Sequence, residues 1–329
     1  MQIGKVIIED EFAEAFRMWA ARVVVTAIDD HWLRIATSEV CGYGTSVIGC
    51  DAEAGVERFL SPDETLDGRP GASLLFFAFN ADGLRKAVPN RVGQCLMTCP
   101  TTAVYDGLPD VIESDATARI DVGKKLRFFG DGNQKSKVVE GRDEGTKGRR
   151  DEGNPINPQS AIRNPQSHSR RFWRIPVMDG EFTCEETIGA MKSIAGGNFL
   201  VCGRDQRSTL DATKAAVDSI AKLPDCVTPF PGGIVRSGSK VGSRYKGMFA
   251  STNDEYCPTL RGIAKNSKLR EGVMCVYEIV INGLSEAAIA GAMKAGITAA
   301  CGHDIIAISA GNYGGKLGKF HFKLREVMV

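Results

Sequence analysis

An acid inside an apolar strand is the residue in this chain with the clearest chemical potential. Glu278 stands in Val276-Tyr-Glu-Ile-Val-Ile281, where a carboxylate buried without a partner would cost several kcal/mol. Burial would also raise its pKa and keep it protonated near neutrality, as a general acid must be. Strict alternation along the strand would instead turn the same side chain to solvent, and the local pattern allows either.

Five polar, glycine-rich turns sit at the ends of apolar runs and offer a second kind of chemistry. They are Gly42-Tyr-Gly-Thr45-Ser46, Pro100-Thr101-Thr102, Pro229-Phe-Pro-Gly232-Gly233, Ser237-Gly-Ser-Lys240 and Ser309-Ala-Gly-Asn312-Tyr313-Gly-Gly-Lys316-Leu-Gly318. Glycine lets backbone N–H groups come close to a ligand, and successive N–H groups can cradle an anion. The last turn is neither a Walker loop nor a dinucleotide fingerprint. Each turn alone is ordinary turn chemistry, but five in one chain point to a site assembled from loops.

Other chemistries find less support. The histidines, His31, His168, His303 and His321, lie in unrelated contexts, so no nucleophile–base pair assembles from sequence. Cys95 and Cys99 form a C-x3-C, but no second pair follows at zinc spacing. Most of the ten cysteines lie in apolar runs and read as reduced, buried small hydrophobes, with no metal expected.

The elements that must position these groups read as follows. Strands are expected at Arg22–Ile28, Trp32–Val40, Leu74–Phe79, Cys95–Thr98, Leu126–Phe129, Phe172–Val177, Asn198–Cys202, Met274–Ile281, His303–Ser309 and Lys319–Leu324. Helices are expected at Ala81–Arg91, ended or kinked by Pro89, at Glu185–Ile194, at Ser208–Lys222 capped by Ser208, and at Ser285–Ala295 capped by Ser285. Strands and helices alternate in both halves, so the expected class is α+β, two α/β sandwiches made by duplication, with a doubly wound parallel sheet as the competing architecture.

Between the halves, about 132–171, the composition changes. Arg142-Asp-Glu-Gly145 recurs as Arg150-Asp-Glu-Gly153, and Asn157-Pro-Gln-Ser160 as Asn164-Pro-Gln-Ser167. Polar, proline-bearing repeats bury too little apolar surface to offset chain entropy, and this stretch reads as a disordered surface insertion. The expected domains are 1–180, which carries the insertion, and 181–329.

Bulk properties set the outer limits. With 329 residues the chain is long enough for two domains, and a formal net charge of +1 gives no global field for nucleic acid. No segment approaches the roughly 20 apolar residues of a membrane span, and the acids of MQIGKVIIEDEF do not suit a signal peptide, so a cytoplasmic location is expected.

Taken in order, several longer strings resemble the formylmethanofuran:tetrahydromethanopterin formyltransferase family. They include Glu9-Asp-Glu-Phe-Ala-Glu-Ala-Phe16, Gly44-Thr-Ser-Val-Ile48, Glu53-Ala-Gly-Val-Glu-Arg58 and Asp67-Gly-Arg-Pro-Gly71. Arg91-Val-Gly-Gln-Cys95, Pro100-Thr-Thr-Ala103, Pro229-Phe-Pro-Gly-Gly-Ile234, Tyr277-Glu-Ile-Val-Ile-Asn-Gly283 and the Ser309–Gly318 loop continue the match, which spans the chain outside Gly132–Arg171.

The resemblance implies two ferredoxin-like lobes, a homo-oligomer (dimer or tetramer), no metal and no prosthetic group. Methanofuran and tetrahydromethanopterin would be the carrier substrates, and formyl-hydrolase subunits are implied as partners in the bacterial branch. Glu278 would be the catalytic acid in a direct transfer to the pterin N5. Thr45, Ser46, Arg58, Arg69, Thr101, Thr102, Gly232, Gly233, Ser237, Lys240, Asn312, Tyr313 and Lys316 would bind substrate, with Lys319 a further cation for the acidic carriers. A non-catalytic scaffold that binds a carrier and holds hydrolase subunits is the rival expectation.

Overall fold

A computed structural model describes residues 1–128, 137–141, 170–237, 253–264 and 266–329. Lys240, His168 and most of the repeat-bearing stretch lie outside these described residues. In chain order the first part contains β1 (Gln2–Ile3), β2 (Val6–Ile8), β3 (Phe12–Thr26), α1 (Asp30–Cys41), β4 (Glu53–Leu60), β5 (Gly71–Ala78), α2 (Ala81–Arg91) and β6 (Ala103–Asp106). A middle part follows with β7 (Thr117–Asp121), α3 (Gly123–Leu126), β8 (Lys137–Gly141), β9 (Arg170–Val177) and β10 (Gly180–Glu185). The last part contains β11 (Thr187–Gly203), α4 (Gln206–Ile220), β12 (Cys226–Val227), β13 (Cys275–Gly283), α5 (Glu286–Ala300), β14 (Ala307–Ser309), β15 (Phe320–Lys323) and α6 (Leu324–Val327).

The two halves use one wiring diagram. In the first, β3-α1-β4-β5-α2-β6 lies in the spatial order β6-β3-β5-β4, with every neighbour antiparallel. In the second, β11-α4-β12-β13-α5-β14 lies in the order β14-β11-β13-β12, again antiparallel throughout. The long first strands of the two units, β3 and β11, pair with each other from Phe16↔Ala195 to Ala21↔Ala190 and fuse the halves into one sheet. Among the described residues, parallel pairing is confined to β6–β10 and β2–β14, so the doubly wound parallel sheet is excluded.

Several expected elements are corrected. Trp32–Val40 is helix α1, not a strand, because Leu33, Ala36, Thr37 and Val40 bury at helical spacing behind an N-cap at Asp29. Cys95–Thr98 is no strand either, since α2 runs past Pro89 into a π-turn at Val92–Leu96. Leu126 closes the short helix α3 rather than opening a strand.

Glu185–Ile194 belongs to strands rather than a helix. Thr187–Ile194 lies between β3 and β7, and the bare Gly189 admits the Leu108 carbonyl into the space a Cβ would need. Tertiary pairing overrides local composition there. The cap of α4 is Asp205, which accepts from Ser208 N–H, so Ser208 is the N3 residue and not the cap. Ser285 caps α5 as expected.

At the margins of the repeat-bearing stretch, β8 pairs with β9 from Lys137↔Arg174 to Gly141↔Arg170.

Helices α4 and α5 cover one face of the second unit, over Phe199, Val201, Ile279, Ile281 and Ile308. Alternation sends Leu200, Cys202, Ala307 and their neighbours to the other face, which Tyr256 and Val273 cover.

Candidate active site

Glu278 lies on that second face. It pairs with Leu200, which also pairs with Ser309, so the three form a row across β13, β11 and β14. On its free side, Glu278 exchanges two backbone hydrogen bonds of 2.9 Å with Val235, just after the Gly232–Gly233 turn. Both glycines have left-handed φ, 62° and 75°, and Gly233 could carry no side chain because Val217 lies 2.6 Å from its Cβ position. The turn thereby sets Val235 beside Glu278 and delivers Ser237 to its carboxylate.

Glu278 is only 9% exposed. Ser237 Oγ donates to Oε2, and Asn253 Nδ2 donates to the same oxygen at 3.1 Å. Burial pushes the acid above its usual pKa, while the hydrogen bonds from Ser237 and Asn253 pull it partly back. Solvent exposure, the other outcome open to the sequence, is thereby excluded. A carboxyl group whose proton is held more tightly than usual can deliver that proton to a leaving group.

The final glycine-rich loop meets this group through Asn253. Asn198 clips the loop at Gly311, accepting its N–H at 2.7 Å and donating to its carbonyl at 3.0 Å. A Cβ on Gly311 would stand 3.1 Å from the Asn253 side chain, so glycine leaves room for the amide that contacts Glu278.

The rest of that loop does something the sequence did not disclose. N–H groups of Tyr313 (2.7 Å) and Gly315 (3.0 Å) donate to Glu14 Oε2, and those of Leu317 (2.5 Å) and Gly318 donate to Oε1. The anion expected in this cradle is thus the chain's own carboxylate, and these four N–H groups are not free for a substrate oxyanion. Burial opposes ionisation of Glu14, but the N–H groups of Gly318, Tyr313, Leu317 and Gly315 outweigh it and hold the pKa below the usual value. Asn312 turns inward as well, donating to Glu11 Oε2 at 3.0 Å and to Phe12 O at 3.1 Å. Lys316 and Lys319 are exposed.

The Thr45–Ser46 turn is linked to the same strand from the other lobe. Glu53 is buried, accepts from Val47 N–H at 2.9 Å and receives Asn282 Nδ2. Burial raises its pKa against those two hydrogen bonds. Asn282 lies four residues beyond Glu278, on the same face and about 13 Å along the strand.

Other expected binders are engaged elsewhere. Arg69 pairs with Asp67 at 2.7 Å and donates to Thr26 and to the Thr101 carbonyl. With Thr101, Thr102, Cys99 and Asp179 it lines a separate cleft of about 210 Å³. Thr102 donates to the Leu96 carbonyl at 2.6 Å. Arg58 forms an exposed 2.6 Å ion pair with Glu64. Among the described residues no hydrogen bond or ion pair joins these groups to Glu278.

Among the described residues no cluster of His, Cys, Asp and Glu could hold a metal. The ten cysteines are free.

Asn198, Asn253, Asn282, Glu53 and Glu14 are the polar groups that sequence reasoning overlooked. Glu14 carried the one usable signal, an acid between Ala13 and Ala15 in an apolar stretch, the same anomaly that drew attention to Glu278.

Residues 1–145 match the family described as formylmethanofuran-tetrahydromethanopterin formyltransferase, and residues 180–327 match FTR, proximal lobe. A formylmethanofuran–tetrahydromethanopterin formyltransferase from Rhodopirellula baltica is 47% identical, covering 100% of this chain and 93% of the relative. A subunit of the formyltransferase/hydrolase complex of Methylorubrum extorquens is 44% identical over 98% of this chain and 95% of its own length. The solved formyltransferase of Methanosarcina barkeri superposes with a TM-score of 0.83 at 44% identity, covering 99% of this chain and 100% of that one. The formyltransferase/hydrolase complex of Methylorubrum extorquens, solved with methylofuran, contains a chain with a TM-score of 0.85 at 43% identity, covering 100% of this chain and 99% of that one.

Proposed function

The chain belongs to the formylmethanofuran–tetrahydromethanopterin formyltransferase family, and from that premise we propose that it passes a formyl group directly between the two carriers beside Glu278. It is an enzyme, a formyltransferase, with methanofuran and tetrahydromethanopterin as carrier substrates. The observation that carries the assignment of the reaction centre is the buried, doubly hydrogen-bonded carboxyl of Glu278.

In this reading the pterin N5 adds to the formyl carbon and a tetrahedral adduct forms. The C–N bond to the furfurylamine then breaks as Glu278 delivers a proton to the leaving nitrogen. The N5 proton returns to Glu278, so the acid is regenerated and the step balances. Ser237 and Asn253 orient the carboxyl group. Because the 313–318 N–H groups serve Glu14 and the Ser237 hydroxyl and Asn253 amide serve Glu278, the Gly232 N–H of the adjoining turn is the donor left to meet the developing oxyanion. The remaining acceleration comes from holding two carriers in reacting order. Thr45, Ser46, Tyr313, Lys316 and Lys319 supply carrier contacts around this centre.

Each half is a ferredoxin-like unit, and the pair arose by duplication. The shared strand order and direction of β3–β6 and β11–β14 support this. The chain works as a homo-oligomer in the cytoplasm, and the relative from a formyltransferase/hydrolase complex makes hydrolase subunits the natural partner.

The direct test mixes the purified chain with formylmethanofuran and tetrahydromethanopterin and follows formyl-pterin formation. Transfer is expected. A folded chain that transfers nothing, even with hydrolase subunits added, would leave the carrier-binding scaffold as the better reading.

A further inference from the structure

Glu14 sits in β3 with 2% of its surface exposed, and among the described residues no Lys or Arg pairs with it. An ionised carboxylate in such a place needs another source of positive potential. The loop after β14 supplies it. Gly314 and Gly315 take successive left-handed conformations, φ 71° and 72°, which turn the N–H groups of Tyr313 and Gly315 toward Glu14 as a nest does, while the Gly314 N–H between them points back to Asn312 Oδ1 at 3.0 Å. Gly318 closes the cradle, since a Cβ there would lie 2.5 Å from the Ala15 carbonyl and 2.7 Å from Glu14 Cγ.

The cradle is fastened at both ends. Asn198 grips Gly311, and β15 pairs back onto β3 with His321 opposite Glu14. Between those anchors Glu14 receives four of the N–H groups of residues 313–318, with Asn312 on the Gly314 N–H, Phe16 on the Tyr313 ring and His321 on the Gly318 carbonyl as lesser ties. We propose that Glu14 is a positioning residue for formyl transfer, the internal anion around which the loop carrying Tyr313 and Lys316 is wound so that it meets a carrier. The inference rests on the reading above, in which this loop borders the reaction centre through the Gly311–Asn253 contact.

The geometry dictates what a neutral isostere would do. Each carboxylate oxygen takes two N–H donors, Tyr313 and Gly315 on one, Leu317 and Gly318 on the other. A glutamine can satisfy one pair, and its NH2 then opposes the other. Half of the loop is released while the fold of β3 is kept.

Steady-state kinetics on the full chain test this. Glu14→Gln should raise KM for at least one carrier about tenfold while kcat changes less than about twofold. Gly314→Ala attacks the nest from the loop side, where no atom lies within 4 Å of the added Cβ and only the left-handed φ is penalised, and should give the same split. Acetate, but not acetamide, should restore activity to Glu14→Ala by refilling the cradle.

Unchanged KM in both Glu14→Gln and Gly314→Ala would overturn the proposal, as would losses that match the unfolded fraction seen by circular dichroism with no acetate rescue. Wild type in the same assay separates the two levels. Transfer by wild type with unaltered variants removes only Glu14's role, whereas no transfer by wild type sinks the parent reading as well.

Discussion

At the scale of single residues, the chemistry depends on how burial and hydrogen bonds compete at one carboxyl group. Burial raises the pKa of Glu278, and the donors Ser237 and Asn253 lower it. Because the folded value lies above the unfolded one, the acid's contribution to stability is full below the ordinary carboxylate range and is lost as pH rises through the folded pKa. Activity that needs the protonated acid has its alkaline limb at that same folded value. Asn253→Leu removes a donor that favours the ionised form, so the alkaline limb should move to higher pH. A pH–rate profile of the two proteins checks this, and a shift to lower pH would contradict the assigned balance. Glu278 was legible in the sequence as an acid in an apolar strand. Its partners were not, because Asn253 reaches it from a segment distant in the chain and Ser237 only through the Gly232–Gly233 turn.

At the scale of elements, β13 organises the site by placing Glu278 and Asn282 on one face. Asn282 serves Glu53 across the junction of the two halves and also accepts Gly196 N–H at 3.0 Å. Asn282→Ala would leave a buried carboxylate short of a donor, destabilising the protein by about 2 kcal/mol. Glu53, like Glu278, has its pKa raised by burial. Losing the donor raises it further, so the penalty should be larger at pH 8 than at pH 5. Urea denaturation at the two pH values measures both, and an equal or smaller loss at pH 8 would remove Asn282 from this role.

The strands and helices with clean periodicity, such as β13, α4 and α5, could be read from the residues. The second half of β11, Asn198–Cys202, could be read too, but its first half could not, since Thr187–Ile194 is short of strand formers and becomes a strand through pairing with β7 and then β3. The helix α1 was obscured for the opposite reason, as its apolar residues suited either period.

At the scale of the molecule, the two halves are one sheet rather than two beads. The β3–β11 pairing joins them, and Arg22 adds an ionic link, bonding Glu57 of the first half at 2.7 Å and Asp225 of the second at 2.5 Å. All three tryptophans, Trp19, Trp32 and Trp173, precede β11. Unfolding followed by tryptophan fluorescence should nonetheless coincide with that followed by far-UV circular dichroism. A fluorescence transition well separated from the dichroism would show that the halves fold independently. The repeated wiring could be anticipated from the alternation of elements, but not the fusion of the sheets, which depends on the extra length of β3 and β11.

The central claim is that Glu278 supplies the proton in formyl transfer, and Glu278→Gln tests it most directly. Glutamine keeps the shape and can accept from Ser237 and Asn253, but it cannot donate a proton to a leaving amine. With formylmethanofuran and tetrahydromethanopterin as substrates, kcat should fall by about 10²-fold or more, with KM for both carriers nearly unchanged. Transfer at the wild-type rate by the folded variant would contradict the account and move the chemistry away from Glu278.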